Sequence, residues 1–141
     1  MTDCIFCKII KGDIPSYKVY EDNDALAFLD LSQTTKGHLL LIPKKHVKNV
    51  YEMDETTASQ VFKLIPKLSR ALKETFPNMQ GLNIVNNNDE LAGQTVFHSH
   101  IHFIPRYPND DFNIQFTNHQ ESYTQEELEN IAEKLKKEVN K

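Results

Sequence analysis

Phe97-His98-Ser99-His100-Ile101-His102-Phe103-Ile104 sets three histidines at alternate positions and runs on into Pro105-Arg106. Side chains two apart on a β-strand share one face, so a strand here lays three imidazoles in a row, about 6 to 7 Å apart. Imidazoles are poor core fillers, and three charged ones would repel each other. A solvated polar face or a packing role therefore explains the pattern badly. Two chemical readings remain: all three rings ligate one metal, or one ring is a nucleophile assisted by its neighbours.

Working outward, the His strand is predicted from Thr95 to Pro105. The apolar run His38-Leu39-Leu40-Leu41-Ile42-Pro43, after Gly37, predicts a second strand. Val19-Tyr20-Glu21 and Ala25-Leu26-Ala27-Phe28-Leu29 flank Asp22-Asn23-Asp24 as a hairpin. Leu82 to Asn86 reads as a fifth strand. Residues 54–76 carry Val61, Leu64, Ile65, Leu68, Leu72 and Phe76 at helical spacing behind an Asp54 N-cap, which predicts one long helix kinked at Pro66. A short helix fits residues 4–11 and ends at Gly12. Thr124-Gln125-Glu126-Glu127 is a capping box opening a terminal helix with Leu128, Ile131 and Leu135 on one side. Residues 107–122 show no period. The expectation is an α+β domain: a five-stranded, mainly antiparallel sheet with one long helix, a short N-terminal helix and a C-terminal helix, residues 107–141 forming an extension of a single domain over 1–141.

The 141-residue length suits one core, and 39% hydrophobic with 26% charged residues is ordinary for a globular chain. A net charge of −4 without a long Lys/Arg run argues against nucleic acid as partner. The first residues lack a basic-then-apolar leader, and no stretch approaches the ~20 apolar residues of a membrane span. No membrane partner and a cytoplasmic location are therefore expected. Cys4 and Cys7 form a Cys-x-x-Cys, which in a reducing compartment points to metal binding or redox work. No thioredoxin-like βαβ context surrounds it, which favours metal.

Gly93-Gln94-Thr95-Val96-Phe97-His98-Ser99-His100-Ile101-His102-Phe103-Ile104 closely resembles the histidine triad signature. Gly37 to His46 is similar to that family's upstream His strand, Ala27-Phe28-Leu29-Asp30 to its ribose-binding segment, and Ile5 to Ile10 to its opening. The resemblance runs over about residues 4–106 and points to the Hint branch of nucleotide-binding hydrolases. It implies that His100 attacks the α-phosphorus of a nucleotide conjugate and forms a covalent nucleotidyl-histidine, which water then hydrolyses. It further implies phosphoryl contacts from His102, support of the row by His38, and a hydroxyl near the leaving group from Thr95. Asp30 would hold the ribose. Ile5, Phe6, Ile9, Phe28 and Leu31 would form the purine slot, and Asn86, Gly93 and Gln94 would offer donors to the phosphate. No carboxylate cluster suggests magnesium, so no catalytic metal is expected. Several bacterial relatives carry a structural zinc, which here would sit on Cys4, Cys7, His46 and His98. The family usually forms homodimers. The implied substrate is an AMP-like purine nucleotide conjugate: adenosine phosphoramidate, aminoacyl-adenylate or dinucleoside polyphosphate. Two alternatives stay open: a nucleotide sensor with incidental hydrolysis, and a metal-dependent hydrolase using His98, His100 and His102 as ligands.

Overall fold

The computed structural model describes residues 3–141. Five strands form one antiparallel sheet in the order β1-β2-β3-β5-β4: β1 (Lys18–Glu21), β2 (Ala25–Leu29), β3 (Leu39–Pro43), β4 (Gly81–Val85) and β5 (Ile101–Arg106). The β1–β2 hairpin closes because Asp22 Oδ1 accepts from the N–H groups of Asp24 (2.7 Å) and Ala25 (2.8 Å).

Period-2 alternation sends the sheet's side chains into two cores. Ala25, Ala27, Leu39, Leu41, Ile101 and Phe103 pack on Val61, Leu64, Leu68 and Leu72 of the helical layer. Leu26, Phe28, Leu40 and Ile42, one residue out of phase, pack on Phe6 and Ile9 of helix α1 (Ile5–Lys11). His100 and His102 fall in this second phase of β5 and its approach, on the α1 side. Each fully buried Leu or Phe contributes about 1.5–3 kcal/mol, so both layers are held firmly.

The single helix predicted over 54–76 is two helices, α2 (Glu55–Phe62) and α3 (Ile65–Thr75). Pro66 lies in the first turn of α3. Its missing N–H is harmless there, whereas inside a continuous helix it would leave the Phe62 carbonyl unbonded and crowd it. Leu64 keeps helical dihedrals (φ −82°, ψ −12°), so the apolar stripe is preserved across the break. The Asp54 cap is present, with the Thr57 N–H donating to Oδ1 at 2.8 Å.

The His strand is shorter than expected, beginning at Ile101 rather than Thr95. The preceding residues leave the ladder because Ser99 N–H donates to the Val47 carbonyl (2.7 Å), in the loop after β3. Gly37 (φ +95°) turns the chain into β3, and a Cβ there would lie 2.6 Å from the Phe76 ring.

Past β5, Arg106 fixes the root of the extension through a two-point bond to Asp110 (both 2.9 Å), with further bonds to Asn83 Oδ1 (2.8 Å) and the Phe112 carbonyl (2.6 Å). Residues 113–141 are then exposed throughout. Helix α4 (Gln125–Val139) has both bonds of its capping box, and its Leu128, Ile131 and Leu135 stripe stays about half exposed (51%, 44% and 61%). Among the described residues, no helix is long and apolar enough to cross a membrane.

Candidate active site and metal centre

A cleft of about 270 Å³ opens between α1, the loop at residues 14–16, the end of β2 and the approach to β5. Its apolar wall is Ile5, Phe6, Ile9 and Phe28, and Leu31 stands at the mouth, 80% exposed. The Phe6 ring meets Phe28 edge-on at 5.6 Å, leaving a slot suited to a flat aromatic group. Asp30, His100, His102 and Thr95 line the same cleft. Ile14, Pro15 and Ser16 add a wall that their scattered apolar character did not flag.

The imidazoles are ordered by backbone groups that can only donate or only accept, so their tautomers follow. His100 Nδ1 lies 2.8 Å from the His98 carbonyl. That nitrogen carries the proton, and Nε2 keeps a lone pair. At His38, the Thr34 N–H donates to Nδ1 (3.2 Å), so a neutral ring holds its proton on Nε2. That Nε2 lies 2.9 Å from His102 Nδ1, which must accept. His102 Nε2–H is therefore a donor beside the His100 ring, the ring centres being 5.0 Å apart. The row thus pairs one nitrogen with a free lone pair, His100 Nε2, with one hydrogen-bond donor, His102 Nε2–H.

Burial keeps these rings neutral. Desolvation lowers His100 and His38 below the ordinary histidine value. Desolvation, joined by the neighbouring His100 and His38 rings, pushes His102 down to about 4. Burial alone would raise the Asp30 carboxyl, but the Ser32 Oγ–H (2.7 Å) and N–H (2.8 Å) bonds to Oδ1 hold it below its usual range. Asp30 Oδ2, 3.6 Å from His38 Nε2, makes no hydrogen bond there and keeps both lone pairs for a ligand.

Three expected phosphate donors are engaged elsewhere. Gln94 is 1% exposed, and its amide donates to the Lys48 (2.7 Å) and Val96 (3.0 Å) carbonyls while accepting from Asp89 N–H (2.8 Å). It braces the loop instead of facing the cleft. The Gly93 N–H bonds the Glu90 carbonyl (2.9 Å), and the residue's φ of +99° serves a turn. Asn86 Nδ2 donates to the His100 carbonyl (2.8 Å), steadying the approach to β5 at His100. None of the three lines the cleft. A polar residue beside a glycine signals a loop equally well whether it feeds ligand or backbone, so spacing alone could not separate these roles.

Behind the cleft, Cys4, Cys7, His46 and His98 converge, each offering a ligand atom within 4.8 Å of the others. His46 Nδ1 to His98 Nδ1 is 3.2 Å, and the sulfur–nitrogen separations are 3.5 Å (Cys4–His98), 3.4 Å (Cys7–His46) and 3.6 Å (Cys7–His98). A tetrahedral zinc with bonds of about 2.05 Å to nitrogen and 2.3 Å to sulfur has N···N edges of about 3.3 Å and N···S edges of about 3.6 Å. The donor set fits. His98 Nε2–H donates to the Pro43 carbonyl (2.7 Å), which leaves Nδ1 unprotonated and aimed at the cluster, the usual arrangement of a ligating histidine. Burial first, then the His46 and His100 rings, hold His98 down near 4, favouring the neutral ligand form.

The three-histidine metal centre does not form: among the described residues His98 joins the cysteines, and no ligand cluster contains His98, His100 and His102 together. A second grouping, Asp30, His38 and His102, does exist. Metal there would need the His38 Nε2 lone pair, and the Thr34 N–H on Nδ1 puts the proton on Nε2 instead. The donor chemistry favours a proton between those rings.

The family model of the HIT domain matches residues 11–109, more than half of the chain. The chain belongs to the HIT family. A crystal structure of a HIT family member from Bacillus subtilis is 54% identical, superposes with a TM-score of 0.93 and covers 96% of each chain. Adenosine 5′-monophosphoramidase hnt1 of Schizosaccharomyces pombe is 40% identical over 111 residues, 79% of each chain. A zinc-bound histidine triad protein from Mycobacterium smegmatis is 34% identical with a TM-score of 0.74, covering 86% of this chain and 87% of that one. This HIT protein shares its family and its α+β architecture with those solved structures, and the Schizosaccharomyces pombe relative is named for an adenosine 5′-monophosphoramidase activity.

Proposed function

We propose that this HIT protein hydrolyses purine nucleotide conjugates of the adenosine phosphoramidate or dinucleoside polyphosphate type at the α-phosphate, through a covalent nucleotidyl-His100. The observation that carries the reading is the pinned His100 ring, with Nδ1–H on the His98 carbonyl and the Nε2 lone pair left for the cleft. The base enters the slot formed by Ile5, Phe6, Ile9, Phe28 and Leu31, and Asp30 Oδ2 accepts from the ribose hydroxyls. His100 Nε2 attacks the α-phosphorus with its lone pair, the bond to the leaving group breaks, and that group departs with its electron pair and takes a proton from solvent on the Thr95 side of the cleft. Water then attacks the nucleotidyl phosphorus and gives a proton back to solvent, and the P–N electron pair returns to Nε2, releasing the nucleotide and a neutral His100. His102 Nε2–H, set by His38, donates to the phosphoryl oxygens as charge builds on them. Lowered basicity keeps His100 in the attacking form at neutral pH.

We read the Cys4–Cys7–His46–His98 cluster as a structural zinc site that ties α1 to the loop after β3 and to the approach to β5. The chemistry at His100 involves no metal in this reading. The phosphoramidase relative and the zinc-bound neighbour support these two assignments. We also read the chain as a homodimer, since among the described residues the apolar stripe of the arm from 113 to 141 is left about half exposed. Two free thiols and a net charge of −4 suit a cytoplasmic protein without nucleic-acid partners.

Turnover of a panel of adenosine phosphoramidate, aminoacyl-adenylate and dinucleoside polyphosphate tests the proposal. Hydrolysis of at least one, lost in His100→Gly while AMP binding persists, is expected. Tight AMP binding with no turnover of any of them would replace the enzyme with a nucleotide sensor.

A further inference from the structure

The turn between β2 and β3 contains a side chain that the chemistry above does not use. Gln33 stands at φ +40°, in the left-handed region, and its amide is spent entirely on the turn's backbone. Nε2 donates to the Asp30 carbonyl (2.6 Å) and the His38 carbonyl (2.8 Å), and Oε1 accepts from the Gly37 N–H (2.9 Å). These three bonds span both ends of the loop, from the ribose-facing carboxylate to the first imidazole of the relay. The backbone adds Asp30 N–H to the His38 carbonyl (3.0 Å) and His38 N–H to the Thr35 carbonyl (3.1 Å). Thr35 Oγ1 anchors the loop's far side by donating to the Pro105 carbonyl of β5 (2.6 Å). Held this way, the loop aims one N–H, that of Thr34, at His38 Nδ1.

That single donor decides the direction of the His38–His102 hydrogen bond. Two arrangements compete. His38 Nε2–H can donate to His102 Nδ1, which leaves a proton on His102 Nε2. Alternatively His102 Nδ1–H can donate to His38 Nε2, which leaves a bare lone pair on His102 Nε2, facing phosphoryl oxygens that are themselves acceptors. Asp30 Oδ2, the nearest charged group to His38 Nε2, is 3.6 Å away, beyond hydrogen-bond length, and does not select between them. The Thr34 N–H does, since it requires an acceptor at His38 Nδ1.

We propose that Gln33 is a positioning residue: by bracing the Asp30–His38 turn it holds the Thr34 N–H on His38 Nδ1, and so keeps His102 protonated on Nε2, where it faces the substrate phosphate. The inference deepens the hydrolase reading and rests on it for the identity of the acceptor, but the proton placement stands on this chain's geometry alone.

Two variants test it. Gln33→Gly removes the side chain and accepts the positive φ without strain. Gln33→Glu keeps the shape and the acceptor for the Gly37 N–H but cannot donate to the two carbonyls at neutral pH. Imidazole nitrogen NMR on histidine-labelled protein reads each ring directly. In the wild type, His38 and His102 should both be Nε2–H tautomers and His100 an Nδ1–H tautomer. In both variants His102 should shift to a mixture, His100 should stay as it is because its lock is the His98 carbonyl, and kcat should fall roughly 10- to 100-fold, below the full loss of an oxyanion donor. The three lost turn bonds should lower the melting temperature by several degrees while the cooperative unfolding transition and the His100 tautomer persist, which separates positioning from general damage. An unchanged His102 tautomer in both variants overturns the proposal whatever turnover does, and so does a mixed tautomer with wild-type kcat. If the wild type turns over nothing in the substrate panel, the hydrolase reading fails, while the tautomer result still decides whether Gln33 orients the rings.

Discussion

Replacing Asp30 should change how the protein discriminates sugars more than how it treats bases. The carboxyl is held below its ordinary value by its bonds from Ser32, so it is ionised at neutral pH. Oδ1 is occupied by the Ser32 Oγ–H and N–H, leaving Oδ2 as the acceptor facing the cleft. A hydrogen bond to a charged acceptor is worth about 1.5–3 kcal/mol net, so a 2′-hydroxyl on Oδ2 should be worth roughly 10- to 150-fold in kcat/KM. The assay is a double cycle: wild type and Asp30→Ala, each with an adenosine phosphoramidate and its 2′-deoxy counterpart. Wild type should favour the ribonucleotide by that factor, and in Asp30→Ala the preference should fall below about threefold. Asp30 also faces His38 at 3.6 Å, so both substrates are expected to slow in the variant; the ratio removes this shared loss. A ribo-to-deoxy ratio equal in the two proteins would refute the ribose assignment.

Protein purified without chelator should carry near-stoichiometric zinc, measured by elemental analysis. The double variant Cys4→Ser, Cys7→Ser should lose it and melt at least about 5 °C lower, since metal ligation there contributes folding free energy of a few kcal/mol or more; metal-free wild type of unchanged stability would point to idle or redox thiols. His102, near 4 when folded against about 6.5 unfolded, binds fewer protons in the native state, so its contribution is complete above about pH 6.5 and is lost as pH falls toward 4. Chemical denaturation between pH 7 and 4 should show a loss on the order of 2–3 kcal/mol from this ring, reduced in His102→Gln; a pH-independent difference between the two proteins would contradict the neutral assignment. Deleting residues 113–141 should convert a dimer of 16.3 kDa chains into monomers by light scattering, and a monomeric full-length chain would remove the dimer reading.

The parts of the fold carried by periodicity were legible in the sequence. The out-of-phase apolar sets of β2 and β3 mark a sheet covered on both faces, and the Thr124 box marks α4. The break at Lys63–Leu64 was half visible: Pro66 announces a disturbance, but whether a helix bends or restarts depends on how the sheet receives Leu64 and Leu68. The early end of the His strand depends on the Ser99–Val47 bond, a partner 52 residues away in the chain, which local pattern does not encode. At the site, the residues the spacing singled out do come together: Cys4, Cys7, His46 and His98 in one cluster, and Asp30, His100 and His102 along one cleft. The amides of Asn86 and Gln94 instead bond backbone groups, a choice that spacing does not encode because an amide serves backbone and ligand with equal ease. Gln33 carried no sequence signal beyond its place in a turn.

The central claim is that His100 becomes covalently nucleotidylated. A phosphorus–nitrogen bond to imidazole is labile in acid and survives base, so the direct measurement is an alkaline rapid quench during turnover of an adenosine conjugate, followed by peptide mass mapping. A nucleotidyl group on the peptide containing His100, formed within the first turnover and absent in His100→Gly, is the predicted result. Turnover that proceeds with no adduct, or with the adduct on another residue, would contradict the account.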